Sequence, residues 1–271
     1  MRLVGVNYLH WLIGASAFFM LAERVRPARR DQAALRPGFA KDVLYLLFNG
    51  HFYALWFGAW IGWFADQTRD GLSEMGWLPS AGLLDDAPYV VAMLAYLVIS
   101  DLLQWCVHVL LHRVPLLWQF HKIHHSVIDM DWAGNFRFHW MELVVYRSLL
   151  YVPLLFLGGR FEALFPVWVF ATFWGHFNHS NLNVGIGPLG WVLNSPRMHL
   201  WHHDASDEGR LSKNYGIVFS LWDFLFGTAY WPRERGPARL GFPGMEELPG
   251  KLWLELVWPL SRDKSAGGRG L

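Results

Sequence analysis

Eleven of the thirteen histidines in this chain fall between His108 and His203, and they come in clusters: HVLLH (His108, His112), HKIHH (His121, His124, His125), HFNH (His176, His179) and HLWHH (His199, His202, His203). Only His10 and His51 lie outside that window. Neutral imidazole binds a transition metal through one ring nitrogen while the other is held by a neighbouring group. On a helix, residues three or four apart share a face, so each cluster is expected to present its imidazoles together. One ion takes about four to six ligands, and the clusters offer more, which points to two ions in one cage built almost wholly of nitrogen.

The cage sits in an apolar chain. Of the 271 residues, 54% are hydrophobic and only 17% charged, which places the chain among membrane proteins. A net charge of +1, with no basic stripe beyond a short run near the amino end, argues against a nucleic-acid partner. The single Cys106 excludes an intramolecular disulfide and a CxxC zinc site.

Leu3 to Ala22 is long enough to span a bilayer, and the basic stretch Glu23 to Asp42 (ERVRPARR onward) is expected on the cytoplasmic side. Val43 to Ala65 forms a second expected span. The acidic, Gly- and Pro-broken Asp66 to Asp86 is expected as an outer loop, and Ala87 to Leu111 as a third span whose last turns carry His108 and His112. Pro115 marks a break before a new helix. Leu143–Leu157 and Phe161–Phe177 form either a hairpin dipping into the bilayer or two tilted helices. The expected fold is therefore all-α, an integral-membrane helical bundle of about four or five membrane segments with a cytoplasmic histidine-rich helical cap. Residues 1–100 supply N-terminal transmembrane helices, 101–232 the metal-binding region and 233–271 a soluble tail ending in the expectedly disordered DKSAGGRGL. Asp101, two helical turns before His108, is the expected acceptor for a histidine N–H.

HxxxH, HxxHHS, RFH, HSN, NSPxMHxxHH and NYGxxxSLWDxLFGT, in this order from about Asp101 to Tyr230, resemble the fatty acid hydroxylase and sterol desaturase superfamily of integral-membrane di-iron oxygenases. Within that likeness, GPLGWVLNSP is similar to the alkylglycerol monooxygenase subgroup. The resemblance implies two iron ions that activate dioxygen to hydroxylate or desaturate the alkyl chain of a membrane lipid. It also implies ligands at His108, His112, His121, His124, His125, His179, His199, His202 and His203. His139 and His176 are further candidates; Trp140 stands where many relatives have a proline after the histidine, and His176 suits packing or ligation equally. Without an HPGG haem motif, a GxGxxG turn or a cysteine set, electrons are expected from a separate redox partner or a reduced pterin. The expected location is a bacterial inner membrane with the histidine boxes facing the cytoplasm. Two other readings are a zinc-dependent membrane hydrolase, against which stands the lack of HExxH, and a non-catalytic metal-binding membrane protein.

Overall fold

The computed structural model describes residues 8–77, 82–155, 157–158, 161–205, 213–232 and 236–260. The start of the first expected span and the DKSAGGRGL tail lie outside the described residues. Within them the fold is all helix, with no strand and two isolated bridges, Pro27 to Leu182 and Asp204 to Leu240.

Helix α1 (Tyr8–Val25) buries Leu12 and Phe19, two turns apart on one face, against Trp132, Ala133 and Phe136 and against the aromatic side of α7 (Leu164–His179). Helix α2 (Phe39–Leu47) passes through a π-helical stretch, Phe48–Tyr53, into α3 (Ala54–Glu74). The first part of the expected outer loop from Asp66 to Asp86 is corrected here, because α3 continues through Asp66 and Asp70 to Glu74, while the described residues of 75–87 form turns and bends. Acid content alone does not break a helix; α3 ends at Glu74, two residues before Gly76 takes φ 73.

Helix α4 (Tyr89–Arg113) is the one helix among the described residues long and apolar enough to cross a bilayer, with a mean hydropathy of 1.9. Its inner face packs on α6 (Trp140–Leu155) and α7 through Ala92, Tyr96, Leu154, Leu164 and Val167. Helices α6 and α7, at 16 residues each, are short for straight spans. Val114 is extended, as the residue before a proline prefers, and Pro115 opens α5 (Pro115–His121). Helix α8 (Pro196–His202) begins in the same manner: Ser195 caps it by accepting from the Met198 N–H, and Pro196 takes the first turn. Helix α9 (Leu221–Leu225) and the short α10 (Leu252–Glu255) complete the helices. Around α10, Trp258 packs with Tyr45 and Ile123, so the C-terminal segment closes over the back of the HKIHH stretch.

Candidate metal centre

The last turns of α4, α5, α7 and α8 each carry histidines, and these four helix ends meet. In the two long helices this sets carbonyl-rich C-termini, the negative ends of the helix dipoles, beside the cluster, a polarity that favours a cation.

Nine imidazoles gather there in two adjoining groups. His108, His112, His121, His125 and His202 form one, and His124, His179, His199 and His203 the other; within each, one nitrogen per ring lies within 4.8 Å of all the rest. Eight of the nine are buried and His112 is half-buried. The arrangement corrects the expectation that each HxxHH box presents one face. Helix α5 ends at His121, and His124–Ser126 is a separate 3-10 turn. In both boxes the first and last histidines, four apart, share a group, while the middle one joins the other group. Adjacent rings accordingly diverge: His124 and His125 stand at 90° and His202 and His203 at 85°. Each box thus gives two ligands to one position and one to its neighbour.

Five of the rings have their Nδ1 fixed by an acceptor. His108 donates to the Tyr215 carbonyl at 2.7 Å, His124 to that of Arg137 at 3.2 Å, His179 to that of Gly175 at 2.8 Å and His202 to that of Lys213 at 2.8 Å. His121 donates to the Glu142 carboxylate at 3.0 Å. A carbonyl only accepts, so the proton is on Nδ1 and the Nε2 lone pair faces inward. Yet His124 Nε2 lies 3.2 Å from His179 Nε2, and His108 Nε2 lies 3.1 Å from His121 Nε2. Facing lone pairs repel unless a cation sits between them. Two nitrogens each ~2.1 Å from a shared first-row ion, at right angles, are ~3 Å apart, which these separations match. In the four-histidine group burial, then the surrounding imidazoles, push His124, His199 and His203 well below the ordinary imidazole value, which disfavours a proton as that cation. The donor set and its orphaned lone pairs therefore fit two transition-metal ions.

The remaining candidates stand elsewhere. His139 caps α6: its Nδ1 accepts the Met141 N–H at 3.0 Å and its Nε2–H donates to Leu256 O at 2.9 Å, so neither nitrogen is free for an ion. His176 points away from His179, bonding Ser16 Oγ at 3.1 Å and Asn135 Nδ2 at 2.9 Å inside a ring cage that includes Phe19, Trp132 and Phe136. Asp101 meets no histidine. Two helical turns place it about 10 Å along the axis from the His108 ring; it accepts instead from Val218 N, Phe219 N and Trp222 Nε1. It anchors the loop whose Tyr215 carbonyl holds His108, and buried Asp223 anchors the same loop through Tyr215 N and Gly216 N.

The five residues that hold the cage's rings, Tyr215, Arg137, Gly175, Lys213 and Glu142, are not singled out by spacing, and two of them are themselves fixed by further contacts. Arg137 presents its carbonyl to His124 while its guanidinium binds Asp42, which also pairs with Arg36 at 2.5 Å. Gly175 presents its carbonyl to His179, and a Cβ there would meet Asn135 Oδ1 at 2.6 Å, so only glycine admits the asparagine that holds His176.

The pattern that defines the fatty acid hydroxylase family matches residues 93–228, which contain all nine clustered histidines. Among curated proteins, the ornithine lipid hydroxylase OlsE of Rhizobium tropici is 30% identical over 66% of this chain and 53% of its own length. The alkylglycerol monooxygenase of Caenorhabditis elegans is 27% identical over 59% of this chain and 32% of its own, and that of Homo sapiens 31% over 45% and 26%. The chain spans about half or less of the length of these relatives. No solved structure matches it. With the family pattern covering half the chain and enclosing the whole histidine cage, this protein belongs to the fatty acid hydroxylase family.

Proposed function

We propose that the chain is a membrane-embedded di-iron oxygenase that hydroxylates an alkyl chain of a lipid, using dioxygen and electrons from a separate redox partner or reduced pterin. The observation that carries this reading is the convergence of nine imidazoles, eight of them buried, in two groups, with inward lone pairs that only cations reconcile. Iron bound by the five-histidine and four-histidine groups would supply dioxygen-activating chemistry. The chain's own tasks are to hold neutral ligands in one tautomer, through the Tyr215, Arg137, Gly175 and Lys213 carbonyls, and to keep water from the cage.

A lipid substrate fits the surroundings. Large apolar side chains on α1, α3 and α4, among them Ile13, Phe18, Trp63, Val90 and Leu94, are each more than half exposed, as suits helices facing hydrocarbon. An apolar cleft of about 480 Å³ opens between α1 and α7, the helix that ends in His179. The remaining spans are placed with α4: α1, the α2–α3 segment and the α6–α7 pair enter the bilayer, and the histidine boxes face the cytoplasm of a bacterial inner membrane beside the basic stretch from Arg24 to Lys41. The names of the relatives, an ornithine lipid hydroxylase and alkylglycerol monooxygenases, favour hydroxylation over desaturation.

The test is a lipid extract from cells with and without the gene under air and under nitrogen. A species heavier by one oxygen atom, present only with gene and air and lost in His202→Ala, is the expected result. A species lighter by two hydrogens would reassign the reaction to desaturation, and an unchanged lipid profile would overturn the oxygenase reading.

A further inference from the structure

The two groups of imidazoles are not equivalent, and one side chain stands behind only one of them. Glu142 lies in the first turn of α6, is 4% exposed, and receives the His121 Nδ1–H on Oε1. Its Oε2 has no hydrogen-bond partner. The other four histidines fixed through Nδ1 rest on neutral backbone carbonyls. Nearby buried acids are already matched: Asp42 by Arg36 and Arg137, Asp204 by Lys213, and Asp101 and Asp223 by three or more N–H or O–H donors each. Glu142 is thus the carboxylate left to answer a cation, and it does so through His121 alone.

A carboxylate on the far nitrogen makes an imidazole a stronger donor, and in a buried site its charge is weakly screened. The four-histidine group has one imidazole fewer and only carbonyls behind His124 and His179. We propose that Glu142 is a positioning residue that ranks the two sites: the five-histidine position fills first and empties last, and the four-histidine position is the exchangeable one. His139 sets the register by capping α6 three residues before Glu142. This inference rests on the two-ion reading above.

The experiment uses the full-length protein in detergent micelles, loaded with Zn2+ and equilibrated against a series of chelator-buffered free Zn2+ concentrations, with zinc per chain read by mass spectrometry. The wild type should release its two ions in two separate steps. Glu142→Gln should move only the step at the lower free zinc, upward by about 10- to 100-fold. His203→Ala, which removes a ligand of the other group, should keep that tight step and lose the weak one; with the wild-type curve it tests the ranking without altering Glu142, should E142Q not fold. Circular dichroism and a melting curve check the fold of each variant. A single step releasing both ions in the wild type, loss of the tight step in His203→Ala, or a folded E142Q curve that overlies the wild type or moves both steps alike would overturn the proposal. Fewer than two zinc ions per chain at saturation would instead overturn the two-ion reading.

Discussion

Each pair of adjacent histidines, 124/125 and 202/203, divides between the two groups, so neighbouring substitutions should have different effects. His124→Ala removes a ligand from the four-histidine group and His125→Ala from the five-histidine group; each should lower saturated zinc toward one ion per chain, at different free-zinc concentrations, as measured by metal analysis. Asp101→Asn should act on stability. Three donors lose a charged acceptor, and a hydrogen bond to a charged group is worth about 1.5–3 kcal/mol, so a loss of that order is expected in the unfolding free energy with two ions still bound. An unchanged melting curve would refute the anchoring role. The residue types of the cage were legible in the sequence because imidazoles in clusters this dense have few uses other than holding metal. The groups that aim the rings were not, since a backbone carbonyl at Tyr215, Lys213, Gly175 or Arg137 leaves no mark on the residue that carries it. His139 illustrates the limit: its spacing resembles that of a ligand, and only the start of α6 makes it a cap.

At the level of elements, the helical reading of the chain holds because apolar runs and the Pro break at 115 act locally. The HKIHH box departs from it. The helix gives way to a 3-10 turn after His121, whereas α8 runs on to His202, and both boxes send the middle imidazole to the other group. That turn is held from behind by the Arg36–Asp42–Arg137 network, with Asp131 on Arg36 at 2.7 Å, and by Trp258 under Lys122 and Ile123. Asp42→Asn breaks this buried pairing and leaves guanidinium charge uncompensated, so a loss of about 3–5 kcal/mol is expected in denaturant unfolding. Because Arg137 also carries His124, zinc should weaken first at the four-histidine position. Trp258→Ala, which empties the space of a buried indole, should cost about 3–5 kcal/mol by the same measurement.

For the whole molecule, the proposed membrane orientation sets the apolar surface of α1, α3 and α4 in hydrocarbon and the basic stretch from Arg24 to Lys41 on the side of the histidine boxes. With Cys106 replaced, single cysteines at Arg30 and at Lys251 should react with an impermeant thiol reagent from the same side, and one at Met75 from the opposite side. Reaction of Arg30 and Lys251 from different faces would refute the orientation. Metal binds only the folded cage, so a chelator should lower the melting temperature and added zinc restore it. The carbonyls on His108 and His202 also carry a consequence for biosynthesis. They belong to Tyr215 and Lys213, so the imidazole supplied by α4 takes its inward tautomer only from a segment 107 residues later in the chain. A nascent polypeptide lacks that partner until the ribosome has passed residue 215, so filling of the proposed metal centre is expected to be a late step, one that follows the formation of α4 rather than guiding it.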